Sequence, residues 1–290
     1  MKTFINTQVK NEALLLEKVL PFWKEYPVEK FVFYNDGSTD NTHEVIMDLL
    51  GSRAKVFNTE NGPSNEPHMS ASYNEALMRH TMMTYNREQK ADMMIALDAD
   101  ELISYSILNN FDEVLEACTK NNLQFFWYNV VGETLKKTRQ DPLYVGNYRC
   151  FIVSLNHCDD FDLNLSQQNN KSMHQTPRTP NIHLPKGHVD LNFGFIHLQA
   201  INTRFFALKQ LFYKVFERRV YGQPLGNLMN YDQVCNNFNF NPVDTPPPII
   251  NDWEFDASVF DKILEERKYE EYIKKYGTDE TITFGKQFLS

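Results

Sequence analysis

The stretch Met93-Met94-Ile95-Ala96-Leu97-Asp98-Ala99-Asp100-Glu101 organises the reading of the whole chain. Its unbroken apolar run is long enough for a strand buried on both faces, the pattern of an interior strand in a parallel sheet. The run ends in two aspartates one residue apart, with a third acid directly after them. A strand that ends this way delivers carboxylate oxygens to the carboxyl edge of the sheet, where open α/β folds bind their ligands. Such hard donors suit Mn2+ or Mg2+, ions that take one or two protein carboxylates and complete their shell with substrate phosphates. The competing reading is a helix cap, with Asp98 to Glu101 merely opening the next helix.

Upstream, strands and helices alternate. Phe4 to Val9 predicts a first strand, and Leu15, Leu16, Val19, Leu20 and Trp23 recur at helical spacing up to Pro27, with a kink or break expected at Pro21. Phe31 to Tyr34 predicts a second strand, broken at Asn35-Asp36-Gly37-Ser38-Thr39-Asp40. Gly37 there tolerates a positive φ, and Ser38, Thr39 or Asp40 can cap a helix running through Leu50. Ala54 to Phe57 predicts a third strand, Asn61-Gly62-Pro63 a turn, and Met69 to Arg87 a helix that leads into Met93. This alternation is the signature of a parallel sheet with helices on both faces.

Downstream the pattern is mixed. A helix is expected over Asn109–Lys120, strands over Leu123–Val131, Tyr148–Val153 and Phe193–Leu198, and a helix over Thr203–Tyr221. That last helix carries a core stripe of Phe205, Leu208, Phe212, Val215 and Phe216, with Lys209, Lys214, Arg218 and Arg219 read as a solvated face. Asn236 to Pro248 reads as an irregular connector, and Asp256 to Tyr276 as a terminal helix stopped by Gly277. The chain thus divides into residues 1–105, a second half at 106–235 that completes the first, and a connector with terminal helix at 236–290.

Bulk properties narrow the function. The chain has 290 residues, 42% hydrophobic and 13% aromatic, which is ample for a real core. A net charge of −9 argues against a general nucleic-acid binder. Cys118, Cys150, Cys158 and Cys235 lack C-x-x-C spacing and read as reduced thiols of an intracellular, cytoplasmic protein. No signal-peptide pattern opens the chain, and no apolar run approaches the roughly 20 residues that span a bilayer, so membrane contact is expected to be peripheral at most. The histidines His174, His183, His188 and His197 match no common zinc spacing.

Four stretches together resemble glycosyltransferase family 2 and related enzymes of the GT-A fold. They are Val9-Lys10-Asn11-Glu12-Ala13, Tyr34-Asn35-Asp36-Gly37-Ser38-Thr39-Asp40, the Asp98-Ala99-Asp100 motif, and Phe195-Ile196-His197-Leu198. The resemblance implies a Rossmann-like α/β half with a mostly parallel sheet that binds a nucleoside-diphosphate sugar, UDP-linked by preference, completed by a mixed α+β acceptor half. It implies that Asp36 accepts a hydrogen bond from the base, with Gln8 and Lys10 beside base or ribose and Glu12 and Asn74 in the same binding set. Asp98 would touch ribose or metal, Asp100 would bind Mn2+ or Mg2+ directly, and His197 would be a further ligand. The expected reaction transfers a sugar with inversion to a glycan, lipid-linked or other hydroxyl acceptor, one carboxylate removing the acceptor proton.

The chain departs from the family pattern at Tyr73 and in the loose match of the half from Asp112 onward. Tyr73, in Ser72-Tyr73-Asn74, stands where relatives carry an arginine that contacts the diphosphate, leaving Lys171, Arg204 and Lys209 as replacement cations. For the proton acceptor Asp190 comes first, with Glu133 and Asp141 as alternatives. Competing functions are a haloacid-dehalogenase-like phosphohydrolase, a nucleotidyltransferase and a non-catalytic carbohydrate-binding protein. The first would carry Thr or Val where Leu102 stands, and the second a Gly-rich loop where Lys10-Asn11-Glu12 stands.

Overall fold

A computed structural model describes residues 1–59, 75–132, 134–139, 148–163, 177–236, 242–245, 247–250, 253–283, 287 and 289. Its first sheet has the order β3-β2-β1-β4-β9, formed by Thr3–Val9 (β1), Lys30–Asn35 (β2), Ala54–Asn58 (β3), Met93–Ala96 (β4) and Ile152–Ser154 (β9). The first four strands are parallel and β9 closes the edge in antiparallel sense. Alternate residues face opposite sides, as a pleated strand requires. Ile5, Phe31, Phe33 and Ile95 join one core with helices Ala13–Lys24 (α1) and Thr42–Leu50 (α2). Phe4, Val32, Tyr34 and Met94 join a second core with Met78, Met82 and Met83 of helix Glu75–Glu88 (α3). Every residue of β4 is buried, as a strand covered on both faces must be.

The remaining elements are strands Glu101–Ile103 (β5), Asn122–Asn129 (β6), Lys137–Arg139 (β7), Tyr148–Arg149 (β8), Lys186–His188 (β10), Gly194–His197 (β11) and Pro242–Asp244 (β12). The helices between and after them are Tyr105–Asn109 (α4), Phe111–Lys120 (α5), Thr203–Tyr221 (α6), Leu225–Asn236 (α7), Pro247–Ile250 (α8), Val259–Arg267 (α9), Tyr269–Tyr276 (α10) and Asp279–Ile282 (α11). A second sheet runs β10-β6-β11-β5, with β8 also on β6. The halves of the chain therefore exchange edges: β5 enters the second sheet and β9 the first. Trp23 of α1 fastens this junction, its indole donating to the Glu101 carbonyl at 2.9 Å, while Tyr26 Oη accepts the Ile103 N–H at 3.0 Å.

Several local expectations change. Asp98 to Glu101 open no helix; the Glu101 N–H donates to the Asp98 carbonyl at 3.1 Å, and this tight turn feeds β5. Helix α1 runs through Pro21, which sits in the last turn with its ring exposed and removes one backbone donor without ending the helix. The helix expected over Asn109–Lys120 is present as Phe111–Lys120, whereas the terminal helix divides at Lys268, whose φ is 50°. Helix α7 lies where sequence periodicity gave no signal. The solvated face assigned to α6 is half correct: Arg218 and Arg219 are exposed, but Lys214 is buried against Asp232 at 2.6 Å and Lys209 points into a cleft. The Asn61–Pro63 turn lies outside the described residues, as does the start of the helix expected from Met69.

Candidate functional site

The carboxyl edge of β1 and β4 opens into a cleft of about 500 Å³. Its floor is the turn after β4. Asp98 is half exposed there, Asp100 nearly buried and Glu101 fully buried. Arg178 ties this turn together: its Nη1 lies 2.7 and 2.6 Å from the two Glu101 oxygens, and its Nη2 lies 2.5 Å from Asp98 Oδ2. Glu101 also accepts the Asp98 N–H at 2.8 Å. Burial pushes the Glu101 carboxyl above the usual range against the pull of the Arg178 guanidinium.

The opposite wall is built by strand register. His197 on β11 stands opposite Asn129 on β6 and Glu101 on β5. Across the first pairing, His197 Nδ1 meets Asn129 Oδ1 at 2.7 Å. Because that oxygen only accepts, Nδ1 carries the proton and Nε2 presents its lone pair. Nε2 lies 3.5 Å from Asp100 Oδ2, and the ring stacks on Trp127 at 4.2 Å. Burial lowers the His197 pKa and so favours the neutral ring, opposed by Asp100, which favours the charged one. For Asp100, burial acts upward but is outweighed by His197 when that ring is protonated, with Lys209 and Arg178, and these hold the carboxyl well below the usual range. Lys209 Nζ stands 3.7 Å from the same Asp100 oxygen and 3.2 Å from Gln199 Oε1.

Two electron-pair donors thus face each other at a separation suited to neighbouring ligands of one ion, since bonds of about 2.1 Å place adjacent ligands about 3 Å apart. The carboxylate oxygen suits Mn2+ or Mg2+, whereas an imidazole nitrogen is the commoner ligand of zinc, copper, iron and nickel. Asp98, the other aspartate expected at the ion, has its carboxylate paired with Arg178. Among the described residues no group of three His, Cys, Asp or Glu side chains could hold an ion, so further ligands would be phosphate and water.

The other expected residues divide. Gln8 lines the cleft and donates to the Glu75 carbonyl at 3.2 Å. Glu12 also lines it, but its carboxylate pairs with Arg267 at 2.7 Å. Asp36 is buried at the end of β2, its N–H donating to the Val9 carbonyl, and Lys10 Nζ donates to its main-chain oxygen at 3.2 Å. Lys10 faces a neighbouring hollow of about 350 Å³, between the β1 end and Tyr213, Arg267 and Tyr269. Gly37 has the positive φ its turn was expected to need, 70°. Asn74, Tyr73, Glu133, Asp141, Lys171 and His174 lie outside the described residues.

Asp190 is not brought to the site. It is exposed in the turn before β11, at the opposite end of that strand from His197, and its Oδ1 accepts the Asn192 N–H at 2.8 Å. Arg204 is on the surface with Glu270. Of the replacement cations proposed from sequence, Lys209 lines the cleft.

Sequence reasoning missed Arg79, Arg178, Trp127 and Asn129. Arg79, on α3, lines the cleft and donates to the Arg178 carbonyl at 3.0 Å; its Nε is buried without a partner among the described residues. Its position a few residues beyond Ser72-Tyr73-Asn74 was the available signal. Arg178 sits in a polar stretch with no periodicity to mark it.

No family model matches the chain, and no curated protein matches it. Solved structures do. S. aureus TarS 1-349 in complex with UDP-GlcNAc is similar at 14% identity and a TM-score of 0.45, over 82% of this chain and 72% of that one. Glucosyl-3-phosphoglycerate synthase from Mycobacterium tuberculosis is similar at 15% identity and a TM-score of 0.30, over 44% of each chain. 4-diphosphocytidyl-2C-methyl-D-erythritol synthase from Anaerococcus prevotii is similar at 11% and 0.37, over 65% of this chain and 87% of that one. At such values these are likenesses of chain path, and the chemistry rests on the cleft itself. No helix among the described residues is long and apolar enough to cross a membrane.

Proposed function

We propose that the chain is a glycosyltransferase that takes a nucleoside-diphosphate sugar, UDP-linked by preference, with Mn2+ or Mg2+ as its cation, and passes the sugar to a hydroxyl acceptor. The observation that carries this reading is the facing pair Asp100 and His197 in a cleft also lined by Arg79, Arg178 and Lys209. A bound cation would supply Lewis-acid neutralisation of the leaving diphosphate. Asp100 and His197 would hold it, with Asn129 fixing the imidazole. Lys209 and Arg79, which line the cleft, would set positive charge beside the leaving diphosphate, in a partly enclosed site where such charge acts strongly. Asp36 and Gln8, at the ends of β2 and β1 on the same sheet edge, would meet the base. Asp190, outside the cleft, has no part in this scheme.

The phosphohydrolase reading requires Asp98 to attack phosphorus, but that carboxylate is engaged by Arg178. The test incubates the protein with UDP-, GDP- and dTDP-sugars and Mn2+, and follows free nucleotide. Slow, metal-dependent release supports the transferase. Phosphate release from simple esters, or neither reaction together with no manganese-linked UDP binding, overturns it.

A further inference from the structure

Helix α6 gives the cleft a wall of its own. Phe206, Lys209, Gln210 and Tyr213 line it. Their spacing of i, i+3, i+4 and i+7 sets them on one face of the helix, while Phe205, Leu208, Phe212 and Val215 join the main core. Lys209 fixes where this wall stands, because its Nζ lies 3.7 Å from the Asp100 oxygen that faces His197. The wall therefore begins beside the proposed ion, where a bound diphosphate would give way to its sugar.

Two amides here lack a full set of partners. Gln210 is only 8% exposed, yet among the described residues its amide has no hydrogen-bond partner, and neither of its polar atoms is sealed from solvent. Leaving a largely buried amide unpaired costs stability, so a side chain held in that state is poised for a partner that enters the cleft. Gln199 is the second. The Leu198 N–H donates to the Asp100 carbonyl, which sets Gln199 beside the same aspartate, lining the cleft. A lysine can only donate, so the Gln199 oxygen, 3.2 Å from Lys209 Nζ, is fixed as the acceptor. The Gln199 nitrogen is thereby turned away from Lys209, and it donates to no described residue.

Resting on the donor reading of the cleft, we infer that Gln199 and Gln210 read the sugar of the donor, and that this sugar is an uncharged pyranose recognised through its neighbouring polar substituents. Gln210 offers a donor and an acceptor, and Gln199 offers N–H donors alone. Hydroxyls on adjacent ring carbons both donate and accept, so they match this set, with the rings of Phe206 and Tyr213 on the same wall to meet the apolar face of a sugar. A uronate would bring a carboxylate beside Asp100, where the lysine of this wall is already engaged.

The test is calorimetry on the full chain with Mn2+, titrating UDP, UDP-glucose, UDP-galactose, UDP-N-acetylglucosamine and UDP-glucuronate. The proteins compared are wild type, Gln210→Leu and Gln199→Leu, each with its melting temperature. At least one uncharged sugar nucleotide should bind wild type at least about tenfold more tightly than UDP-glucuronate. Gln210→Leu should weaken that ligand at least about tenfold while UDP stays within about twofold, and Gln199→Leu should weaken it more than it weakens UDP. Gln210→Leu should melt no lower than wild type, because the amide it removes has no partner in the protein; a purely structural glutamine would do the reverse. Equal loss of UDP and sugar nucleotide, unchanged sugar-nucleotide affinity in the variants, a lower melting temperature for Gln210→Leu, or UDP-glucuronate binding as tightly as the uncharged set overturns the inference while leaving UDP binding, and so the donor reading, intact. Wild type that takes up no UDP overturns the donor reading first, and this inference with it.

Discussion

His197 Nε2 lies 3.5 Å from Asp100 Oδ2, although 96 residues separate them between the two chain positions; the pairing of β11 with β5 brings them together. The main chain repeats the link, with the Leu198 N–H donating to the Asp100 carbonyl at 2.8 Å. A contact held at both backbone and side chain is preorganised, so an ion entering there would find its donors already aimed. Asp100→Asn and His197→Gln should each weaken manganese-linked UDP binding by at least about tenfold. Asn129→Leu, which frees the imidazole to rotate, should weaken it about 10- to 100-fold. Calorimetry with and without Mn2+ reads this, and equal UDP affinity in all three variants would remove the ion from Asp100 and His197.

Arg178 holds a buried charge in balance. Replacing it with Gln leaves Glu101, which is fully buried, without its guanidinium, and should destabilise the protein by about 3–5 kcal/mol. Arg178→Gln/Glu101→Gln should recover a large part of that loss, because no buried charge is then left alone. Urea unfolding measures both; a single variant within about 1 kcal/mol of wild type would show that the pair contributes little.

Gly194 begins the strand that delivers His197. A Cβ there would meet the Phe126 carbonyl at 2.6 Å and the Tyr128 ring at 2.7 Å. Gly194→Ala should therefore cost about 1–3 kcal/mol of stability, since backbone cannot move aside as a flexible side chain can. The same shift of β11 should weaken manganese-linked UDP binding. A variant with wild-type stability and affinity would contradict the close approach.

The thiols should be slow to react. Burial pushes Cys118 up to about 12 and Cys150 up to about 11, with neighbouring groups minor in each case. Below its pKa a thiol gains thiolate about tenfold per pH unit, so alkylation of Cys150 should still be climbing steeply at pH 9, where an ordinary thiol levels off. Cys118, nearly inaccessible, should be modified only on unfolding. Site-resolved mass spectrometry after iodoacetamide treatment follows each residue; a plateau near pH 8.5 at Cys150 would refute the shift.

Much of the first half was legible from residue order. The apolar run before Asp98 became an interior strand because a stretch with no polar face has nowhere to lie except between two covered faces. Gly37 took a positive φ because the turn after β2 demands it. Such features are local: period, turn chemistry and strand ends depend on neighbours a few residues away. The long helix Thr203–Tyr221 was legible for the same reason, down to its ends.

Partner choice was not legible in this way. Lys209 and Lys214 share the helix spacing of surface lysines, yet one faces Asp100 and the other is buried on Asp232, because elements distant in sequence bring carboxylates to them. Asp190 sits at a plausible chain distance from Asp98 but at the wrong end of β11. Arg178 carries no periodic mark, and only packing shows it bridging Asp98 and Glu101. Periodicity and turn chemistry encode where a strand ends and which face is apolar. The charge that meets each carboxylate is set by long-range register and burial, and these exist only once the sheets have paired.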